Sequence, residues 1–392
     1  MLPLVALALG LVSHPQTGSS ELKLEPLLRA RPTTRKVLDQ RAQYRLQVLV
    51  TQVRTAADGR VNITQSALAP DAEYTYPASA IKLLGAIAAV QRLEELQQAK
   101  LPITLDTPLS FEPLFDGDVA YRSDNSNADG AQVTLRHEVR KLFLVSDNPA
   151  YNRCVDYAGR AELHRMCTSA GLTSVRALHR LSVARTEAQN RQTPQILWRN
   201  DKGEWQSLLP ARNDQGEYPP LRMNGWQVGT GWTRDNGDLV AQPMDFSTKN
   251  RVALGELQAA LGMLVEPQLA KLLTTSSSAG WALTDTHRAF LVATASSDHG
   301  TESGRYKFLL PGLLKHGARE RWTYTNKIGR AYGFSTENAW LADKQTGRTL
   351  LVTAVLYTNA DGVLNDGKYE YAEIADPFFE ELGDLLGEWL AR

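Results

Sequence analysis

The sequence predicts an α+β fold in which an antiparallel sheet, flanked by terminal helices, is joined to a largely helical lobe. Apolar residues alternate in the manner of strands near the start of the chain and again in its last quarter. Between these sections the pattern is mostly helical, and one further amphipathic helix closes the chain. The most economical arrangement joins the early and late strands in one sheet and makes a separate lobe of the middle.

The chain begins with the apolar run MLPLVALALGLV, followed by the polar stretch SHPQTGSS. The run is too short to span a bilayer and fits a secretory signal, although no Lys or Arg precedes it. We therefore expect residues 1–20 to be a signal peptide and the protein to be exported, either periplasmic or secreted. Residues 21–40 are polar and are expected to form an irregular tether.

The domain proper is expected over residues 41–392. Its sheet lobe comprises residues 41–75, where the pair Asp58-Gly59 predicts a hairpin turn, and residues 275–392. The helical lobe is expected over residues 76–274. Within it, residues 196–245 form an insertion of hairpins, with the turns DKG and DNG flanked by tryptophan-bearing strands.

The composition of the chain argues against a nucleic-acid-binding protein and against a metal-dependent enzyme. The chain of 392 residues carries 43 basic and 43 acidic residues, which argues against a nucleic-acid binder. Its seven histidines form neither HExxH nor HxH, so we expect no metal and no other cofactor. Cys154 and Cys167 are too few for a disulfide framework, and the sequence leaves open whether they are bridged or are two separate buried thiols.

The segment ASAIKLLGAIAAV is apolar on all sides except for Ser79 and Lys82. Such a segment reads as a helix buried in a core, where loss of water lowers the pKa of a lysine. The serine lies three residues before the lysine on the same helical face, and Pro77 suits a helix start. A hydroxyl beside such a lysine has the arrangement of an activated nucleophile, so the segment predicts an enzyme with a catalytic serine.

Two further motifs follow in order. The first is Ser146-Asp147-Asn148 after the apolar run LFLV, and a second copy of it, beginning at Ser123, lies in a loop-like stretch. The other is Lys327-Ile328-Gly329 at the end of the strand WTYTN. Taken alone, the SDN motif is typical of a helix N-cap. The Lys-x-Gly motif is typical of a lysine on an edge strand, followed by a glycine that lets the backbone of a substrate approach closely.

The ordered set of an S-x-x-K helix, an SDN motif and a Lys-x-Gly strand resembles the serine β-lactamase and D,D-peptidase superfamily, closest to class A β-lactamases, over about residues 40–392. The resemblance implies a small-molecule β-lactam or cell-wall peptide as substrate, and we expect a monomer that binds no nucleic acid. It also implies a role for each matching residue: acylation of Ser79, proton transfer by Lys82 and Ser146, amide binding by Asn148, carboxylate binding by Lys327 next to Gly329, and an oxyanion hole from the backbone N–H groups of Ser79 and Arg330.

The sequence departs from the family pattern at two places. Ile328 stands where the family usually has a hydroxyl residue. The loop that should carry a deacylating glutamate reads RTEAQN, without the usual proline and one residue short, so Glu187 is the candidate base. The expected function is hydrolysis of β-lactams through an acyl-enzyme. Two alternatives remain open: a D,D-carboxypeptidase or esterase of the same fold, and a slowly acylated penicillin-binding or sensor protein.

Overall fold

The computed structural model describes residues 21–276, 280–298 and 305–392. The expected signal peptide lies outside these ranges. The predicted α+β class is confirmed. The helices are α1 Leu24–Leu28, α2 Pro32–Asp39, α3 Lys82–Gln98, α4 Leu135–Leu144, α5 Asn148–Ala158, α6 Arg160–Ser169, α7 Glu187–Asn190, α8 Leu254–Val265, α9 Ala270–Leu273, α10 Asp285–Ser296, α11 Leu310–Leu313 and α12 Asp376–Ala391. The strands are β1 Gln47–Thr55, β2 Val61–Leu68, β3 Leu109–Phe111, β4 Gln192–Thr193, β5 Ile196–Arg199, β6 Trp205–Leu209, β7 Arg212–Asn213, β8 Gln227–Val228, β9 Gly231–Thr233, β10 Leu239–Val240, β11 Met244–Asp245, β12 Trp322–Asn326, β13 Gly329–Ala331, β14 Phe334–Asp343, β15 Thr349–Tyr357 and β16 Val363–Leu364.

The main sheet joins the two ends of the chain, as predicted. Its order is β12-β14-β15-β1-β2, all neighbours are antiparallel, and β13 also pairs with β14. The hairpin expected at Asp58-Gly59 connects β1 and β2, with Gly59 at φ +81°. Strands β12 and β13 share one side of β14 and are separated only by Lys327 and Ile328, so the third motif interrupts an edge strand.

Helices cover both faces of this sheet. The closing helix α12 packs with α11 and α2, and its buried Phe378, Phe379 and Leu386 share a core with apolar strand residues such as Val352. Helix α8 lies against β14 and β15. Because the central strand β15 is covered on both faces, it is buried at eight of its nine residues and does not show the alternation of a half-exposed strand.

Residues 21–40 are not the polar tether that the sequence suggested. They form α1 and α2, and their apolar residues Leu24, Leu28 and Val37 are buried in the same core as α12. Arg31 ties this segment to α12 through an ion pair of 2.8 Å with Asp384. Helices of five and eight residues have little stability of their own, and α1 and α2 are held by packing on each other, on β2 and on α12.

The helical lobe is built around α3, which is buried on all sides from Lys82 to Gln91 as its sequence predicted. It packs against α4, α5 and α6. Cys154 and Cys167 are both buried and carry free thiols. Helix α10 falls in the range expected for the sheet lobe, yet its Leu291 and Ala295 are buried in the core of the helical lobe.

The hairpins predicted in the insertion are present. Strands β5 and β6 flank the DKG turn, and β9 and β10 flank the DNG turn. The parallel pairing of β9 with β16 attaches the second hairpin to the segment that follows β15. Among the described residues no helix is long and apolar enough to cross a bilayer.

Candidate active site

The predicted nucleophile lies in a short 3₁₀ turn, Ala78–Ile81, that leads directly into α3. Lys82, and not Ser79, is therefore the first α-helical residue. The N–H of Ala80 donates to the carbonyl of Pro77 at 2.9 Å, so Ser79 precedes the hydrogen-bonded part of the turn. The first N–H groups of a helical segment have no partner within it, which leaves the N–H of Ser79 available to a ligand. The serine is half-buried.

Ser146 connects two lysines that are distant in sequence. The Lys82 ammonium donates to the Ser146 carbonyl and lies 3.2 Å from the Ser146 hydroxyl. The Lys327 ammonium lies 2.9 Å from the same hydroxyl and 3.0 Å from the carbonyl of Ile328. The structure thus brings one residue from each of the three motifs into a single hydrogen-bonded chain.

Burial sets the charge state of both lysines. Lys82 is fully buried, and loss of water lowers its pKa from 10.5 to about 7, against the opposing field of Asp147. Burial also holds the pKa of Lys327 well below its ordinary value, and the nearby positive charge of Lys82 lowers it further. A neutral amine is therefore accessible near pH 7, as a proton acceptor from Ser79 would require.

Ser79 opens into a cavity of about 720 Å³. Asn148, the first residue of α5, lies on its wall and donates from its side-chain amide to the hydroxyl of Ser182 at 2.6 Å. Part of the floor is aromatic, since the rings of Tyr76 and Tyr332 are 5.4 Å apart and both line the cavity. The site is therefore a groove with room for a ligand larger than the reacting bond.

Four non-glycine residues at this groove have left-handed backbone conformations. They are Ala78 at φ +46°, Ser182 at +55°, Tyr332 at +55° and Asn365 at +64°, and Ser146, in the hydrogen-bonded chain with the two lysines, is at +52°. Such conformations are unfavourable for residues with a Cβ and cluster at functional sites. Ala78 immediately precedes the predicted nucleophile, and Ser146 links the two lysines. The concentration of these residues supports a functional assignment of the groove.

Gly329 has a packing role that differs from the one the sequence suggested. The sequence indicated close approach of the substrate backbone at this glycine. In the structure a Cβ at this position would lie 2.0 Å from the carbonyl oxygen of Pro77 and 2.8 Å from the nitrogen of Ala80. The glycine therefore allows β13 to touch the turn that holds Ser79.

The register of β13 and β14 sets the direction of the Arg330 backbone N–H. Tyr332 and Gly333 are the two turn residues of the hairpin between β13 and β14. The pair next to the turn, Ala331 and Phe334, is therefore the one joined by backbone hydrogen bonds. The pair after it, Arg330 and Ser335, is a non-hydrogen-bonded pair of the ladder. The N–H of Arg330 consequently points away from β14, at the open edge beside the Ser79 turn. Its guanidinium is directed elsewhere, to Ser335 at 3.1 Å and to Asp376.

Glu187 is not brought into the cluster. Its side chain is 52% exposed, and its carboxylate pairs with Arg191 at 2.8 Å and Arg160 at 3.3 Å. The hydrogen bond from Arg191 holds the pKa of this carboxyl below its ordinary value. Glu187 does not line the cavity; the nearby segment that does is residues 179–184. Asn190 supports this loop by accepting from the N–H of Arg180 at 3.0 Å.

Several groove residues were missed by sequence reasoning. Ser182 is bound by Asn148, and Lys249 lies on the cavity wall just before α8. Nothing in the local pattern distinguishes them from loop residues, and only the tertiary arrangement of the chain brings them to the groove. Among the described residues, no group of three His, Cys, Asp or Glu side chains is placed to hold a metal ion.

Comparison with known proteins identifies a family over part of the chain. Residues 33–200 match the sequence model of the β-lactamase enzyme family, and no curated protein matches the chain. Solved structures with a similar fold include a β-lactamase from Desulfarculus baarsii, with 16% identity over 94% of this chain and 97% of that one at a TM-score of 0.48. A β-lactamase from Xanthomonas campestris has 15% identity over 94% of this chain and 99% of that one, at a TM-score of 0.47. A class A β-lactamase from Clostridium kluyveri has 12% identity over 91% of this chain and 98% of that one, at a TM-score of 0.46.

The matched segment contains Ser79, Lys82 and the Ser146-Asp147-Asn148 motif, whereas Lys327 lies beyond it. The resemblance drawn from the three motifs is thereby confirmed at the level of the superfamily: over residues 33–200, this chain matches the β-lactamase enzyme family.

Proposed function

We propose that this protein is a serine acyl-transfer hydrolase that reacts with β-lactams through an acyl-enzyme on Ser79. The observation that carries the proposal is the hydrogen-bonded chain from Lys82 through Ser146 to Lys327 beside the Ser79 turn. The match of residues 33–200 to the β-lactamase family supports the substrate class.

The chemistry assigns one proton path. Neutral Lys82 accepts the hydroxyl proton of Ser79 while the serine oxygen attacks the lactam carbonyl. The backbone N–H groups of Ser79 and Arg330 stabilise the oxyanion. When the C–N bond breaks, the Ser146 hydroxyl donates its proton to the leaving nitrogen and is reprotonated from Lys82, so every proton is accounted for. Lys327 acts on this step through its hydrogen bond to Ser146.

Deacylation is proposed to be slow. A water that attacks the acyl-enzyme needs a base near Ser79, and the candidate Glu187 is held in ion pairs with Arg191 and Arg160. This favours the alternative of a penicillin-binding protein whose adduct accumulates over that of an efficient β-lactamase. A D,D-peptidase activity shares the acylation step and is distinguished only by its substrate.

Time-resolved mass spectrometry with benzylpenicillin and with a D-Ala-D-Ala peptide tests the proposal. We expect an adduct of the mass of intact penicillin on the peptide that contains Ser79, and none in Ser79→Ala. Ser146→Ala should slow its formation, whereas Ser123→Ala, in the second SDN copy, should not. An adduct that maps to another serine would refute the assignment. Release of D-Ala from the peptide, together with the penicillin adduct, would favour the peptidase.

A further inference from the structure

Lys249 lines the same cavity as Ser79 and is half-buried there. It follows the insertion and precedes α8 by a few residues. Within the described ranges its ammonium has no hydrogen bond and no carboxylate within ion-pair distance. Burial lowers its pKa, opposed by the field of Asp245. A cation on a cavity wall without a partner is able to bind an anionic ligand group.

The other cations at the cavity are already committed. Arg180 pairs with Asp156 at 2.7 Å and also donates to the carbonyl of Gln192. Arg330 pairs with Asp376 and stacks on aromatic rings. The acidic residue on the wall, Asp235, is exposed at the tip of the β9–β10 hairpin, where solvent screens its charge.

Lys249 lies apart from the cluster of motif lysines. Its positive charge contributes to the low pKa of His179, on the loop of residues 179–184 that lines the cavity. The charges that act on the pKa of Lys327 are instead those of Lys82, Glu337 and Lys307. The cavity therefore has a cation beside the loop of residues 179–184, on a chain segment separate from the one that carries Lys327.

The backbone that carries Lys249 is firmly held. The next residue, Asn250, is fully buried, and its side-chain oxygen accepts from the N–H groups of Leu178 at 2.7 Å and His179 at 3.1 Å. The N–H of Lys249 itself donates to Phe246 at 3.0 Å. A recognition group on such a fixed segment loses little entropy on binding.

We infer that Lys249 recognises a carboxylate on the acyl side chain of the substrate, so that acyl donors with an anionic side chain are preferred. The inference rests on the proposed function, because it names the residue that binds the side-chain end of a substrate whose reactive carbonyl acylates Ser79. It concerns the side-chain end and not the carboxylate next to the lactam nitrogen.

Carbenicillin and benzylpenicillin provide a matched pair of probes, since they differ by one carboxylate on the acyl side chain. The second-order rate constant for acylation is measured for both by mass spectrometry. In Lys249→Met the constant for carbenicillin should fall by about tenfold to a hundredfold, the range expected for loss of a charge-assisted hydrogen bond. The constant for benzylpenicillin should stay within about twofold, which also shows that the variant is folded.

Two further variants complete the design. Lys249→Arg should retain the preference for carbenicillin, and Lys202→Met, in the exposed DKG turn, should leave both constants unchanged. An equal loss with both penicillins, or no loss with either, would overturn the inference while leaving the proposed function intact. Failure of both penicillins to acylate the unmodified protein would instead refute the proposed function, and the inference with it.

Discussion

The pH dependence of acylation tests the role of Lys82 most directly. If its amine accepts the Ser79 proton, only the neutral form reacts, and burial places its pKa at about 7. About half of the molecules are then reactive at pH 7 and about one in a hundred at pH 5, so the acylation rate constant should fall about 50-fold between these values. Above about pH 8 it should level off.

The assay follows labelling by a fluorescent penicillin under pseudo-first-order conditions from pH 5 to 9. Lys82→Arg should not acylate at any of these pH values, because a guanidinium stays protonated. A flat profile, or a rise that continues to pH 10 as for an ordinary lysine, would refute this reasoning. Normal acylation by the arginine variant would do the same.

The lowered pKa of Lys82 also links stability to pH. Between about pH 7 and pH 10.5 the unfolded chain binds a proton at this lysine that the folded protein does not, so stability rises with pH through this window. Below it, the folded protein carries the cost of a buried ammonium. Lys82→Met removes that cost, so its stability relative to the parent should be greater at pH 6 than at pH 9, by about 2–3 kcal/mol. Urea unfolding of both proteins at the two pH values measures this difference.

Gly329→Ala should destabilise the protein by about 1–3 kcal/mol and slow acylation, because the new Cβ would overlap the carbonyl of Pro77. The matched control for thermal unfolding is Gly255→Ala, because a Cβ at Gly255 meets nothing within 4 Å. Equal melting temperatures for the two variants would contradict the packing role of Gly329. Glu187→Gln should leave the lifetime of the acyl-enzyme within about twofold, since general-base removal typically costs 10²–10⁴-fold and this carboxylate faces Arg191. A markedly longer lifetime, measured by decay of the adduct mass, would restore Glu187 as the deacylating base.

The fold could be predicted largely because its signals are local. The all-round apolar pattern after Lys82 and the turn pair at Asp58-Gly59 each specify one element, and the structure has both. The first helices were missed for a physical reason. Segments of five and eight residues have almost no helical stability of their own, and α1 and α2 exist because Leu28 and Val37 are buried in the core that α12 shares.

The candidate site was predictable only where chemistry requires a fixed motif. Ser146 and Lys327 were found by motif, and the structure joins them at 2.9 Å. Glu187 was selected by the spacing of a short pattern in a loop, and spacing does not determine which side of a loop faces the groove. No local sequence pattern indicates Lys249. It reaches the cavity because the segment between the inserted hairpins and α8 passes along the cavity wall.

The burial of Lys82 and Lys327 is itself an argument for function. Both lie within hydrogen-bond distance of one hydroxyl, that of Ser146, and the positive charge of one lowers the pKa of the other. A buried charge is costly, and well-packed apolar residues in the same place are often as stable or more so. Four left-handed residues around the same groove add a further cost. The fold tolerates this concentration of unfavourable features at one place, and under the proposed function the benefit that accounts for it is a lysine amine that is neutral near pH 7 next to the turn that carries Ser79.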